Sequence, residues 1–123
     1  MKYMLLIYDN PDTREIMSGE RGEGLMAEMR DLMEEITESG ELVGTEALAD
    51  PSNARTVRER DGVPAVTDGP YAEAKEHLGG YLVVDCESLE RATEIAARFP
   101  NARFSEMGAM EVRPIMGQNG TEM

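Results

Sequence analysis

The sequence predicts an α+β fold of ferredoxin-like type, a βαββαβ sandwich carrying an inserted β-hairpin, and three observations predict it. Apolar, β-prone runs stand at 2–8 (KYMLLIY) and 79–86 (GGYLVVDC). Apolar residues recur at helical spacing between Gly22 and Ser39 and again between Leu89 and Phe99. Asp61-Gly62, a strong short hairpin signal, divides the runs 55–60 and 63–67. In chain order this gives strand, helix, strand with inserted hairpin, strand, helix, strand, hence an antiparallel sheet with both helices on one face.

The elements follow in order. KYMLLIY is apolar at successive positions, as a central strand with both faces covered would be. Asn10-Pro11-Asp12 breaks it, and the polar stretch 12–21, with Ser18-Gly19, predicts a loop or a loose turn of helix. Leu25, Met26, Met29, Leu32, Met33 and Ile36 then mark the buried stripe of a helix that leaves Glu28, Asp31, Glu34, Glu35 and Glu38 outside. Six such side chains, at about 1.5–3 kcal/mol each, make that stripe a main contributor to stability. Gly40 follows the helix end. ELVGTEALAD (41–50) predicts a strand ended by Pro51-Ser52-Asn53.

A two-residue type I′ turn at Asp61-Gly62 fixes the hairpin register: Arg60 faces Val63, Arg58 faces Ala65, Val57 faces Val66 and Arg55 faces Asp68. Pro64 has no N–H to give a ladder, which assigns its strand to an edge or a bulge. Ser88 is placed to cap the second helix, through Leu89, Ala92, Ile95, Ala96 and Phe99, with Pro100 beyond it. After an irregular NARFSEMG, residues 109–115 alternate as a last strand ending near Pro114. The expected organisation is a single domain over 1–115 and a frayed tail over 116–123.

Composition narrows the function classes. With 25 Asp and Glu against 12 Lys and Arg, net charge −13, the surface repels phosphate backbones, so nucleic acid is not an expected partner. The single cysteine, Cys86, allows no internal disulfide and no multi-cysteine zinc site, and its place at a strand end suits a small buried hydrophobe. No apolar run approaches the ~20 residues that span a bilayer. Acidic residues soon after the first strand and the lack of a small-residue cleavage site lead us to expect a cytoplasmic protein. Two helices cover only one face of a sheet whose strands are apolar on both. The expectation is a homodimer with sheets facing each other around a cavity.

The chemistry-bearing stretch is TDGPYAEAKEHLGGYLVVD (67–85), which crowds Glu73, Lys75, Glu76 and the sole histidine, His77, between Gly69-Pro70 and Gly79-Gly80. Asp68 can cap one or two helical turns over Tyr71–Leu78, and on them Glu73, Glu76 and His77 would share a face. Such a face suits a general base beside a proton donor. The competing reading is a solvated connector, since exposed turns are commonly rich in Glu and Lys. One histidine and no second ligand cluster argue against a metal site. No G-x-S-x-G elbow, Walker A loop or G-x-G-x-x-G turn occurs, so neither a nucleophilic triad nor a cofactor is signalled.

The run D68-G-P-Y-A-E-A-K-E-H-L-G-G-Y81 resembles the DGPF motif of the YCII-related (YciI-like) family, D-G-P-[FY]-x-E-x-K-E-x-[LIV]-G-G-[FY]. Flanking anchors agree: the opening MKYMLLIY, Gly40 to Leu48, Thr56-Val57-Arg58, the A-A-R-x-P of 96–100 and the M-E-V-R-P-I of 110–115. The resemblance implies a ferredoxin-like chain forming a dimeric α/β barrel, with a pocket whose substrate is generally unassigned and genes often beside extracytoplasmic-function sigma factors. Asp68, Gly69, Pro70, Tyr71, Glu73, Lys75, Glu76, Gly79, Gly80 and Tyr81 fall on the motif, and His77 falls at a variable position. The narrower YciI proteins resemble enzymes with a His–Asp pair whose histidine lies in the N-terminal half; this chain has no histidine there, so that pair does not carry over.

The resulting expectation is a small-molecule-binding or enzyme-like homodimer with the 68–81 segment at a cavity mouth. Glu73 or Glu76 would act as general base, Lys75 would neutralise a carboxylate or an anionic ligand, and Asp68 would fix the turn, paired with Arg55. Tyr3, Tyr71 and Tyr81 would line the pocket beside His77. The alternative is a non-catalytic binding or regulatory module in which the same motif stabilises a dimer or docks a partner.

Overall fold

In the computed structural model, residues 1–72 and 74–117 are described, so Glu73 and the end of the expected tail, from residue 118, lie outside the described residues. Among the described residues, six strands and four helices follow one another as β1 (Lys2–Asp9), α1 (Pro11–Met17), α2 (Glu20–Glu38), β2 (Leu42–Ala47), β3 (Arg55–Arg60), β4 (Val63–Asp68), β5 (His77–Asp85), α3 (Leu89–Ala97), α4 (Pro100–Arg103) and β6 (Ala109–Pro114). Short 3-10 turns stand at Pro51–Asn53 and Ser105–Met107. The main sheet is antiparallel, with strand order β2-β5-β1-β6. Without the hairpin and the short α1 and α4, the chain runs βαββαβ, as the sequence predicts.

Alternation along the strands divides the sheet into two faces. Tyr3, Leu5, Leu82 and Val84 point to one side and pack against Leu32 and Ile36 of α2, Ala92, Ile95 and Ala96 of α3, and Phe99. On the other side Met4, Leu6 and Tyr8 of β1 and Tyr81 and Val83 of β5 are half-buried. The register puts Leu6 opposite Tyr81 and Met4 opposite Val83, so these side chains form one apolar patch.

The hairpin register matches the expected one at every pair, from Arg60↔Val63 to Arg55↔Asp68. Asp61 and Gly62 both take positive φ, 52° and 84°, as a type I′ turn requires. The hairpin stands apart from the main sheet, β3 and β4 forming a separate two-stranded sheet. Both faces of the hairpin are largely open, with Val57 62% and Val66 58% exposed.

Three expectations are corrected. The stretch 12–21, expected as a loop or a loose turn of helix, is a regular helix over most of its length, α1, started by a capping box. Asn10 Oδ1 accepts from the Thr13 backbone N–H, the Thr13 hydroxyl accepts from the Asn10 N–H, and Pro11 stands in the first turn. Asn-x-x-Thr is a weaker signature than Ser-x-x-Glu, and the Pro-Asp pair reads as a breaker. The irregular NARFSEMG forms α4 and a 3-10 turn. No helix forms over the described residues of Tyr71–Leu78. That stretch bends and enters β5 at His77, because extended pairing to β1 claims the backbone a helix would need.

Candidate functional site

Where the β1 strand ends, three buried polar side chains, Asn10, Thr13 and Asn101, tie distant segments together. Asn10 Nδ2 donates to Glu106 O (3.0 Å), and the Thr13 hydroxyl donates to Met107 O (2.8 Å). Asn101 Nδ2 lies within hydrogen-bond distance of Tyr8 O, Met107 O and the Asp9 carboxylate (Oδ1, 2.8 Å). None of the described buried side-chain polar atoms lacks a partner, so this corner is rigid by hydrogen bonding as well as packing. Its outcome is a fixed orientation for Asp9.

The Gly79-Gly80 pair of the motif acts here. Pairing of β1 with β5 shifts register after Ile7↔Gly80 to Tyr8↔Leu78, leaving Gly79 as the extra residue of a bulge. A Cβ at Gly79 would collide with Asp9 Oδ2, and one at Gly80 would stand 2.7 Å from Glu46 O. Glycine at 79 therefore makes the space the Asp9 carboxylate occupies. The same bulge sets His77 as the cross-strand partner of Asp9.

Two cavities flank this point. The larger, about 610 Å³, lies between the sheet and the helices α1 and α2; Ile7, Leu82, Phe99, Met17, Met26, Met29 and Met33 wall it, and Asp9, Arg14 and Arg30 supply its charge. The smaller, about 380 Å³, is lined by Asp9, Asn10, Arg14, Asp50, His77 and Gly79 among others. They share Asp9, Asn10 and Arg14. Arg14 is held toward the smaller cavity by Asp50 (Nη1–Oδ1, 2.5 Å). The Ser52 hydroxyl and backbone N–H, followed by Arg14, keep the Asp50 carboxyl down to about 2. Among the described residues no group of three or more His, Cys, Asp or Glu is arranged to hold a metal.

Of the residues singled out in the sequence, His77 is brought to a cavity. Asp68 and Arg55 meet as expected, at 3.8 Å, but at the exposed base of the hairpin and away from both cavities. Tyr71 is 73% exposed, its ring 5.3 Å from the Arg58 guanidinium. Lys75 and Glu76 are exposed in the bend just before His77. Tyr81 lies on the open sheet face, whereas Tyr3, 2% exposed, is on the helix side in the core, with burial raising its phenol pKa. Tyr3 and Tyr81 thus line no common space. Sequence reasoning did not single out Asp9, Asn10, Arg14 or Asn101. Only the capping pattern at Asn10–Thr13 carried a signal for them.

A family model described as the YCII-related domain matches residues 1–119. An uncharacterised protein of Rhizobium meliloti (strain 1021) is 35% identical over 115 residues, covering 94% of this chain and 92% of its own. Among solved structures, 5-chloro-2-hydroxyhydroquinone dehydrochlorinase (TftG) from Burkholderia phenoliruptrix AC1100, in complex with 2,5-dihydroxybenzoquinone, is similar at a TM-score of 0.50 and 14% identity. That match covers 98% of this chain and 99% of that one. At that identity the likeness shows the ferredoxin-like fold alone.

Proposed function

The chain belongs to the YCII-related family, and from that premise we propose an enzyme-like, cytoplasmic homodimer that binds a small molecule at the end of β1. The observation that carries this reading is the pair of cavities sharing Asp9, Asn10 and Arg14. An apolar chamber that opens beside a few convergent polar groups is the usual form of a small-molecule site. A ligand body in the larger cavity would present a proton-bearing polar group to Asp9, whose carboxylate is oriented by Asn101. His77, across the strand pair, lines the adjoining space. A carboxylate and an imidazole so placed suit proton transfer to and from a bound substrate. TftG, a protein of the same fold, is named for a dehydrochlorination.

In this reading the second half of the motif forms the site, with Gly79 admitting Asp9 and His77 lining the smaller cavity. Lys75 and Glu76, next to His77, stand at its approach, where Lys75 would meet an anionic ligand. Asp68, with Arg55, anchors the hairpin base. A second copy would cover the apolar face of Met4, Leu6, Tyr8, Tyr81 and Val83. The exposure of Asp68, Tyr71 and the hairpin valines favours a second reading for the first half of the motif, as a docking element for a partner or the second subunit.

Methionine-methyl NMR during a screen of small apolar fragments tests the site. Hits are expected to move the Met17, Met26, Met29 and Met33 methyls, and Met29→Trp, which fills the chamber, is expected to remove them. Fragments that bind at Met4 on the open face, or leave every methyl unmoved in a folded protein, overturn the assignment.

A further inference from the structure

The larger cavity departs from the charge of the rest of the molecule. The chain carries net −13, yet the charged residues lining this cavity are two arginines and one aspartate, Arg14, Arg30 and Asp9. On α2, Met26, Met29, Arg30 and Met33 stand at i, i+3, i+4 and i+7, one stripe facing the cavity. The acids Glu28, Asp31, Glu34 and Glu35 are not among the residues lining it. Arg30 makes no ion pair among the described residues, although Glu34 stands at i+4, the spacing at which such pairs form. Arg21, Arg91, Arg98 and Arg103 by contrast each have a carboxylate.

The walls have their own selectivity. Thioethers are polarisable and pack favourably against ring faces and edges, and Met17, Met26, Met29 and Met33 line this cavity together with Phe99. Met26 is 45% exposed, an apolar side chain at the rim of the cavity. A volume of about 610 Å³ accommodates a compact ring system.

We propose that this cavity takes an aromatic monoanion, with its rings among the methionines and its anionic group at the rim on Arg30. The inference rests on the proposed site at the end of β1 and specifies the chemistry of its ligand. Arg30 is the group that selects charge, and the methionines select the body.

Fluorescence titration with 8-anilinonaphthalene-1-sulfonate and with N-phenyl-1-naphthylamine, the same rings without the sulfonate, separates the two contributions. Methionine-methyl shifts locate each probe. Both are expected to move the Met26, Met29 and Met33 methyls. Arg30→Gln is expected to weaken the sulfonate by up to about fivefold, the upper end for one exposed ion pair, and to leave the neutral amine unchanged. Equal effects of Arg30→Gln on the two probes, or none on either, overturn the anion assignment while leaving a small-molecule cavity in place. Decanoate binding as tightly as the sulfonate overturns the aromatic part. If neither probe moves those methyls in folded protein, the cavity is not a ligand site and both proposals fall.

Discussion

Glu41 meets Arg91 side-on, Oε2 accepting from Nε at 2.8 Å and Oε1 from Nη2 at 2.9 Å, and so joins the approach to β2 to the first turn of α3. Hydrogen bonding from Arg91, helped by the Ser39 hydroxyl and opposed by burial, lowers the Glu41 carboxyl from 4.5 to about 2. A carboxyl that is harder to protonate when folded stabilises the fold fully above its unfolded value and loses that contribution as pH falls toward its folded value. The window here runs from about pH 4.5 down to about pH 2. Glu41→Gln is expected to cost about 1–2 kcal/mol near neutral pH, with the gap to the native chain closing through that window. Urea denaturation at a series of pH values measures it; a gap that stays constant with pH would show that the pair is not its source. The same residue-by-residue reading explains Gly79. From sequence it is one of a pair of glycines before a strand, and what it makes room for, Asp9, lies seventy positions earlier.

At the scale of elements, the hairpin and α2 behave in opposite ways. The β3–β4 register was legible because a two-residue turn fixes every pair locally, with no help from distant residues. Two strands alone are marginal in water, and this hairpin forms a sheet of its own. Gly62→Val places a β-branched side chain at a φ of 84°, a strained conformation for any residue but glycine. Trypsin is expected to cut at Arg58 and Arg60 faster in that variant while Tm stays within about 2 °C. A fall of more than about 5 °C would mean that the hairpin is part of the cooperative core. The apolar stripe of α2, in turn, was legible as a stripe but not in its use. Leu25, Leu32 and Ile36 are buried, whereas Met26, Met29 and Met33 wall the cavity that α1, packed beside α2, helps to enclose.

For the molecule as a whole, the open face of the sheet is the outstanding question of assembly. Leu6 and Tyr81 are cross-strand partners at the middle of a patch that continues through Met4 and Val83. A patch of this kind is covered most simply by its own copy across a two-fold axis. Light scattering at micromolar concentration is expected to give twice the chain's 13.6 kDa, and Leu6→Glu with Tyr81→Glu is expected to return it to a single copy. A single-copy mass for the native chain would leave the face open to water and remove the dimer.

The sequence by itself determined the order of the four main strands and two long helices, the hairpin register, the cap at Ser88 and the one-sided coverage of the sheet. These rest on periodicity and on turn and cap chemistry within a few residues of chain. The site was decided by the tertiary structure alone. Asp9, Arg14, Arg30, His77 and Asn101 are brought to two adjoining cavities by the bulge at Gly79, the packing of α1 beside α2 and the antiparallel pairing of β1 and β5. Each of those is a contact between segments far apart in sequence, and local spacing carries no record of such contacts.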